Sequence, residues 1–201
     1  MLIPGNNLWP LKLVSVLYNL AQTASDRFSL ALHTHTPVTA VSPLPASSPR
    51  RWQLATPRGP VACSHVLHAT NGYAAHLLPW LHGPGGIVPT RGQVMATRSS
   101  VPFALGRTGF VANDGFEYWF PRPNHTGAAA GDEGQLVILG GGREAAPGYE
   151  FHTVDDAAVD GAVSAVLRRF LPAVFPGKFE AGAEPEIEWV SVRAPARGSV
   201  D

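Results

Sequence analysis

The chain has 201 residues whose 15 basic side chains balance 15 acidic ones, so no whole-molecule field draws in nucleic acid or an anionic membrane surface. Its 21 glycines and 19 prolines indicate a turn-rich but folded chain, long enough for one ordinary domain or parts of two. The single cysteine, Cys63, excludes an internal disulfide and a cysteine-paired zinc site.

Pro10 suits a first helical position, and Leu13, Leu17, Leu20 and Ala24 recur at helical spacing behind it, predicting an amphipathic helix of about four turns. Phe28, Leu30 and Leu32 then alternate with Ser29, Ala31 and His33, a period-two pattern that runs into HTHTPVTAV and predicts a strand. The proline-rich stretch Ser42 to Arg51 is a loop. Trp52 to Thr56 and Val61 to Ala69 predict two strands joined by a tight hairpin at Pro57-Arg58-Gly59-Pro60. Thr70-Asn71-Gly72 ends the second, and Ala74 to Leu81 reads as helical.

Past the glycine-rich link at 82 to 86 the pattern becomes antiparallel, with strand character around Ile87 to Thr97, Phe110 to Phe120 and Gln135 to Leu139. Thr126 to Gly134 reads as a surface loop. Val154, Ala158, Val163, Val166, Leu167 and Phe170 predict a further helix, capped by Thr153, complemented by Asp155 and Asp156, and ended before Pro172. The start MLIPGNNLWP has no signal-peptide pattern, and no stretch approaches the roughly 18 apolar residues of a membrane span. A cytoplasmic protein is the expectation.

His33 and His35 lie two apart with no nearby Asp, Glu or Cys to complete a metal site, so no metal is expected. Gly140-Gly141-Gly142 follows a strand, but Arg143-Glu144 supplies no Lys-Ser/Thr pair for a P-loop. Cys63, in mid-strand with no histidine partner assigned, reads as filler rather than nucleophile. The string VLHATNGYAAHLLPWL at 66 to 81 is a strand, a small-residue turn and a helix, an arrangement that lets backbone approach a ligand.

LWPLKLV, HTHTPVTAV, VLHATNGYAAHLLPWL, PTRGQVM, YWFPRP and ILGGGREA occur in an order that resembles FAD-dependent oxidoreductases of the D-amino-acid, glycine and sarcosine oxidase superfamily. The resemblance covers about residues 8 to 189. It implies an α/β (α+β) fold, with part of an FAD-binding Rossmann-like domain at 1–82, an antiparallel substrate-domain sheet and helix at 83–189, and an atypical tail at 190–201. It also implies that Val38, Ala69, Thr70, Asn71, Gly72, Arg91 and Gly92 lie along the flavin, and that Tyr118 and Arg122 face the substrate. Arginine suits a substrate carboxylate because its planar fork donates two parallel hydrogen bonds. Trp119, offset by one residue from Tyr118, cannot share that face in a regular strand. The implied activity is oxidation of a C–N bond in an amine or amino acid by hydride transfer to flavin.

Such a flavoprotein holds its pyrophosphate with G-x-G-x-x-G at a βα turn, and this sequence has none. The resemblance therefore implies that Met1 starts inside a longer parent and that this piece is inactive through truncation. After Glu188-Trp189 the sequence VSVRAPARGSVD departs from the family; Val-Ser can be encoded by GTGAGT, a splice-donor sequence, so translated intron is the expectation. The alternative is that Arg193 corresponds to a substrate arginine that some members carry a few residues after this tryptophan. A non-catalytic fragment or an interaction module without flavin is the rival reading.

Overall fold

A computed structural model describes residues 8–24, 27–83, 85–106, 108–122 and 134–194. The expected loop at Thr126 to Gly134 lies, but for Gly134, outside them, as does the tail from 195 on. The chain divides into a smaller unit, 8–70 and 74–80, and a larger one that holds 71–73 and 81–194.

In the smaller unit, helix α1 (Pro10–Thr23) starts with Pro10 in the first turn, where its missing N–H costs nothing, but none of its residues is buried. Strands β1 (Ala40–Pro43), β2 (Trp52–Ala55) and β3 (Val61–Cys63) form an antiparallel meander. The β2–β3 connection is the expected hairpin: Gly59 takes a positive φ of 111°, and its carbonyl accepts from Thr56 Oγ1 at 2.6 Å. Helix α2 (Ala74–Leu77) is a short turn whose carboxyl side runs into Pro79.

Two strand expectations need correction. Residues 28–39 are not a strand; pairing begins at Ala40, and Phe28, Leu30 and Leu32 are exposed. Alternation describes an extended chain, but a strand also needs a partner, and the left-handed φ of 52° at His35 interrupts the run. Likewise β3 ends at Cys63 rather than Ala69.

The larger unit carries a five-stranded antiparallel sheet of β4 (Thr90–Arg98), β5 (Phe110–Ala112), β6 (Glu117–Pro121), β7 (Leu136–Gly140) and β8 (Ile187–Arg193), in the order β5-β6-β7-β4-β8. The segment expected to be one strand at Phe110 to Phe120 is a hairpin. Asn113 and Asp114 adopt positive φ, which asparagine and aspartate tolerate best among residues with a side chain, and Gly115 completes the reversal. The tail boundary drawn at 189 falls inside β8, where Val190–Arg193 pairs with Thr90–Gln93.

Helix α3 (Gly161–Val174) covers one face of this sheet. Its cap is Asp160, whose Oδ1 accepts from the N–H groups of Ala162 at 2.8 Å and Val163 at 3.1 Å, so the expected Thr153 cap and early start are wrong. Asp155 serves its own turn through the Ala157 N–H, and Arg91 draws on the carbonyls of Asp155 and Ala158, leaving that stretch outside the helix. Pro172 does not stop α3: so near the end it costs one hydrogen bond, and buried Leu171 holds the last turn to the core. Val163, Leu167 and Leu171, each four residues apart, pack on Met95, Trp119, Val137 and Leu139. Trp119 stacks on Phe110 with ring centroids 5.4 Å apart, and meets Phe170 edge-on.

Candidate functional site

Residues directly opposite in an antiparallel ladder share a face, so register sorts the sheet of the larger unit into two surfaces. Phe110, Trp119, Leu139 and Met95 lie in one row across it, on the α3 side. Tyr118, Gly140, Val94 and Trp189 form the adjacent row, on the other side. Tyr118 thus faces away from the core that holds Trp119, as alternation requires. A Cβ at Gly140 would overlap the Tyr118 ring, so the glycine lets the phenol lie flat against β7.

Arg122 shares the parity of Tyr118 but stands four residues along, roughly 13 Å at strand rise. Its N–H donates to the Leu136 carbonyl at 2.8 Å and its carbonyl accepts from Gln135 Nε2 at 2.9 Å, which fixes the backbone at that end of β6.

The Thr90-Arg91-Gly92-Gln93 segment opens β4 and divides its side chains between both faces. Arg91 donates in fork geometry to Glu150, from Nε to Oε2 and from Nη2 to Oε1 at 3.1 Å, and both side chains are largely buried. The Glu150 hydrogen bond, opposed by burial and aided by the charges of Glu150, Asp160 and Asp155, holds the Arg91 guanidinium above its ordinary pKa. Gln93 Nε2 reaches Glu188 Oε1 at 2.7 Å and Ser164 Oγ at 2.8 Å, while its Oε1 accepts from the Asp160 N–H at 2.9 Å. Gln93 therefore ties β4 to β8 and to the start of α3. Gly92 faces the Tyr118 side, where a Cβ would come 3.3 Å from Arg193 Nε.

The Ala69-Thr70-Asn71-Gly72 string is divided between the units. Ala69 and Thr70 are exposed in the smaller one, together with half-buried Val38 just before β1. Asn71 and Gly72 belong to the larger one and sit against the end of β8. Asn71 Oδ1 accepts from the Ala194 N–H at 3.0 Å, and a Cβ on Gly72 would meet Val192 Cγ1 at 2.9 Å. Tyr73 Oη donates to Asp156 Oδ2 at 2.5 Å; desolvation first, and that hydrogen bond second, push its phenol up to about 12. The structure therefore brings Asn71, Gly72 and Gly92 together around Arg193, keeps Arg91 on the opposite face, and sets Tyr118 two strands away, roughly 10 Å.

Against the demands of a dinucleotide's pyrophosphate, Asn71, Gly72 and the Arg91 side chain do not fit. A pyrophosphate is held by backbone N–H groups at a glycine-rich turn opening a helix. Here Gly72 is accounted for by close packing on β8, the Asn71 amide oxygen is spent on Ala194, and the Arg91 fork is spent on Glu150. Among the described residues no cluster of His, Cys, Asp and Glu could hold a metal ion, and no helix is long and apolar enough to cross a membrane. His33 and His35 are exposed, and Cys63 is a half-buried free thiol.

One arginine stands out that the sequence offered only as a failed P-loop. Arg143, half-buried just after β7, has its guanidinium carbon 5.7 Å from the Phe116 ring centre and 5.4 Å from that of Phe151. Desolvation, then the charge of Arg193, lowers its pKa. No periodicity rule could have found it, since its surroundings come from three separate segments.

No curated protein gives a significant match to the chain. Among solved structures, the chain is similar to glycine oxidase from Geobacillus kaustophilus, with TM-score 0.51 and 21% identity over 83% of this chain and 38% of that one. Glycine oxidase from Bacillus cereus aligns with TM-score 0.48 and 21% identity over 79% of this chain and 37% of that one. The chain thus spans under two-fifths of the length of these structures. A family model described as FAD dependent oxidoreductase matches residues 10–200, through the segment set apart as a tail, and on that match the chain belongs to the FAD-dependent oxidoreductase family.

Proposed function

We propose that this chain supplies the substrate-facing sheet of an FAD-dependent oxidoreductase that oxidises a C–N bond in an amine or amino acid. The observation that carries the reading is the division of β6. Trp119 is committed to the core, while Tyr118 lies on Gly140 facing the other way, with Arg122 on the same side. A phenol held flat by a glycine can orient a small ligand without rearranging, and an arginine on its face can meet a carboxylate. The redox step belongs to the cofactor; these residues would bind and orient the substrate. The relatives named glycine oxidase favour a small amino acid as the substrate class. Val38, Ala69, Thr70, Asn71, Gly72, Arg91 and Gly92 remain the proposed flavin-side positions through their backbone.

A second reading is favoured by the commitments of Asn71, Gly72 and Arg91 to protein partners: the chain by itself takes up no flavin and is non-catalytic. Absorbance of the purified protein separates the two. Stoichiometric bound FAD, bleached when an amine or amino acid is added without oxygen, upholds the enzyme. A chain that stays colourless after incubation with FAD upholds the fragment. Tyr118→Phe and Arg122→Gln should each slow flavin reduction about tenfold or more if the enzyme reading holds.

A further inference from the structure

We infer that Arg143 is an anion-recognising residue of the larger unit, placed to take the carboxylate of a small organic acid or amino acid on the Tyr118 side of the sheet. The inference deepens the proposed substrate role and rests on it only for the word substrate; carboxylate binding stands by itself.

Four observations converge on Arg143. First, its donors are almost unspent: among the described residues its one hydrogen bond is a 3.5 Å approach of Nη1 to the Tyr149 carbonyl, at the outer limit of such a bond. Compare Arg91, forked on Glu150, or Arg168, bonded to Glu184 at 2.6 Å. The nearest acid in sequence, Glu144, is engaged by its side chain with Glu117. Second, Phe116 and Phe151 lie within cation–π range and give the guanidinium apolar neighbours, where a charge-assisted bond is stronger than in open water. A planar two-oxygen anion matches the planar fork edge to edge.

Third, the position is on the right side. Phe151 is bridged to Thr90, whose parity in β4 is that of Gly92 and Val94, the Tyr118 side. Arg143 itself follows Gly140, on which Tyr118 lies, by three residues, whereas Arg122 is at the far end of β6. Arg193, over Gly92, adds positive charge to the same end of the sheet and makes an anion more welcome there. Fourth, the segment that brings Phe151 and the Tyr149 carbonyl to Arg143 is strained. Tyr149, Glu150 and His152 have φ of 55°, 62° and 62°, a left-handed conformation that residues with a side chain adopt only at a cost. The Arg91–Glu150 fork and the His152 N–H on the Pro89 carbonyl at 2.7 Å clamp it in place. The family's arginine at the opening of β4 thus acts here as a positioning residue for the Arg143 surroundings.

The test uses the full chain, nitrogen-15 labelled, with acetate as probe and acetamide as the neutral control. The arginine Nε–H signal that disappears in Arg143→Lys identifies Arg143. Acetate should shift that signal saturably while acetamide leaves it in place, and Arg143→Gln should weaken acetate binding about tenfold or more. Arg169→Gln, exposed on α3 and away from this site, should leave acetate affinity within about twofold. An Arg143 signal that ignores acetate overturns the inference, as does acetate affinity that survives Arg143→Gln and is lost in Arg193→Gln. No flavin is needed, so acetate binding at Arg143 in a colourless chain upholds this inference while defeating the redox reading. A flavin-loaded active protein whose Arg143 ignores acetate does the reverse.

Discussion

Helices α1 and α3 are each 14 residues long and both carry apolar residues at helical spacing, yet they end in opposite circumstances. In the larger unit Val163, Leu167 and Leu171 are each 1% exposed against the sheet. In the smaller unit Leu13, Leu17 and Leu20 are 39%, 54% and 60% exposed, and no strand of its meander has a buried position. Their ends differ as well: Asp160 caps α3 with two hydrogen bonds, whereas Trp9 makes no side-chain cap at α1. A stripe written into a sequence therefore states which face wants cover. Whether cover exists is settled by residues far away, and for an isolated helix of this length the intrinsic balance is marginal.

The sharpest way to break the contrast is to shorten one leucine in each stripe. Leu167→Ala should cost about 2–5 kcal/mol, from lost burial and the cavity left between α3 and the sheet. Leu17→Ala should change stability by no more than about 0.5 kcal/mol, since it removes a side chain already half in water. Denaturant unfolding measures both, and equal losses would mean that the two stripes are equally covered.

Capping offers a smaller lever on the same contrast. Asp160→Ala should cost about 1 kcal/mol by stranding the Ala162 and Val163 N–H groups, while Thr153→Ala, at the position the sequence favours, should be close to neutral. That pair also shows where reading the sequence failed. Spacing alone extends the α3 face back to Val154, but Asp160 followed by Gly161 is the stronger start, and the carbonyls of Asp155 and Ala158 are claimed by Arg91 from another strand.

What was legible obeys local rules: Pro10 opening α1, Gly59 turning the hairpin, and period two separating Tyr118 from Trp119. Illegible were features that need a partner. The run from Phe28 alternates as a strand should but finds no ladder before Ala40. The Arg91 side chain, which the resemblance implies lies along the flavin, is paired with Glu150, 59 residues on. In the sequence Arg143 is no more than the wrong residue for a phosphate loop, because the rings of Phe116 and Phe151 that distinguish it come from different segments.

The finest effect lies in the larger unit. The larger unit buries an acid, Glu117, only 1% exposed, with Oε2 accepting from Asn113 Nδ2 at 2.5 Å. Burial, then the hydrogen bond with the Glu144 carboxyl, raises its pKa, and Asn113 opposes them only in part. The native state therefore holds this proton more tightly than the unfolded chain does. Stability from Glu117 is complete below the ordinary carboxylate range and declines as pH rises through the raised native value. Glutamine has the same shape and no proton to lose, and its Oε1 can still accept from Asn113. Glu117→Gln should match the wild type in acid and become progressively more stable than it toward neutral pH, levelling once wild-type Glu117 has ionised. Denaturant midpoints across a pH series read the gap directly. A gap that is flat, or that widens toward acid, would show that Glu117 does not hold its proton more tightly in the fold than in the unfolded chain.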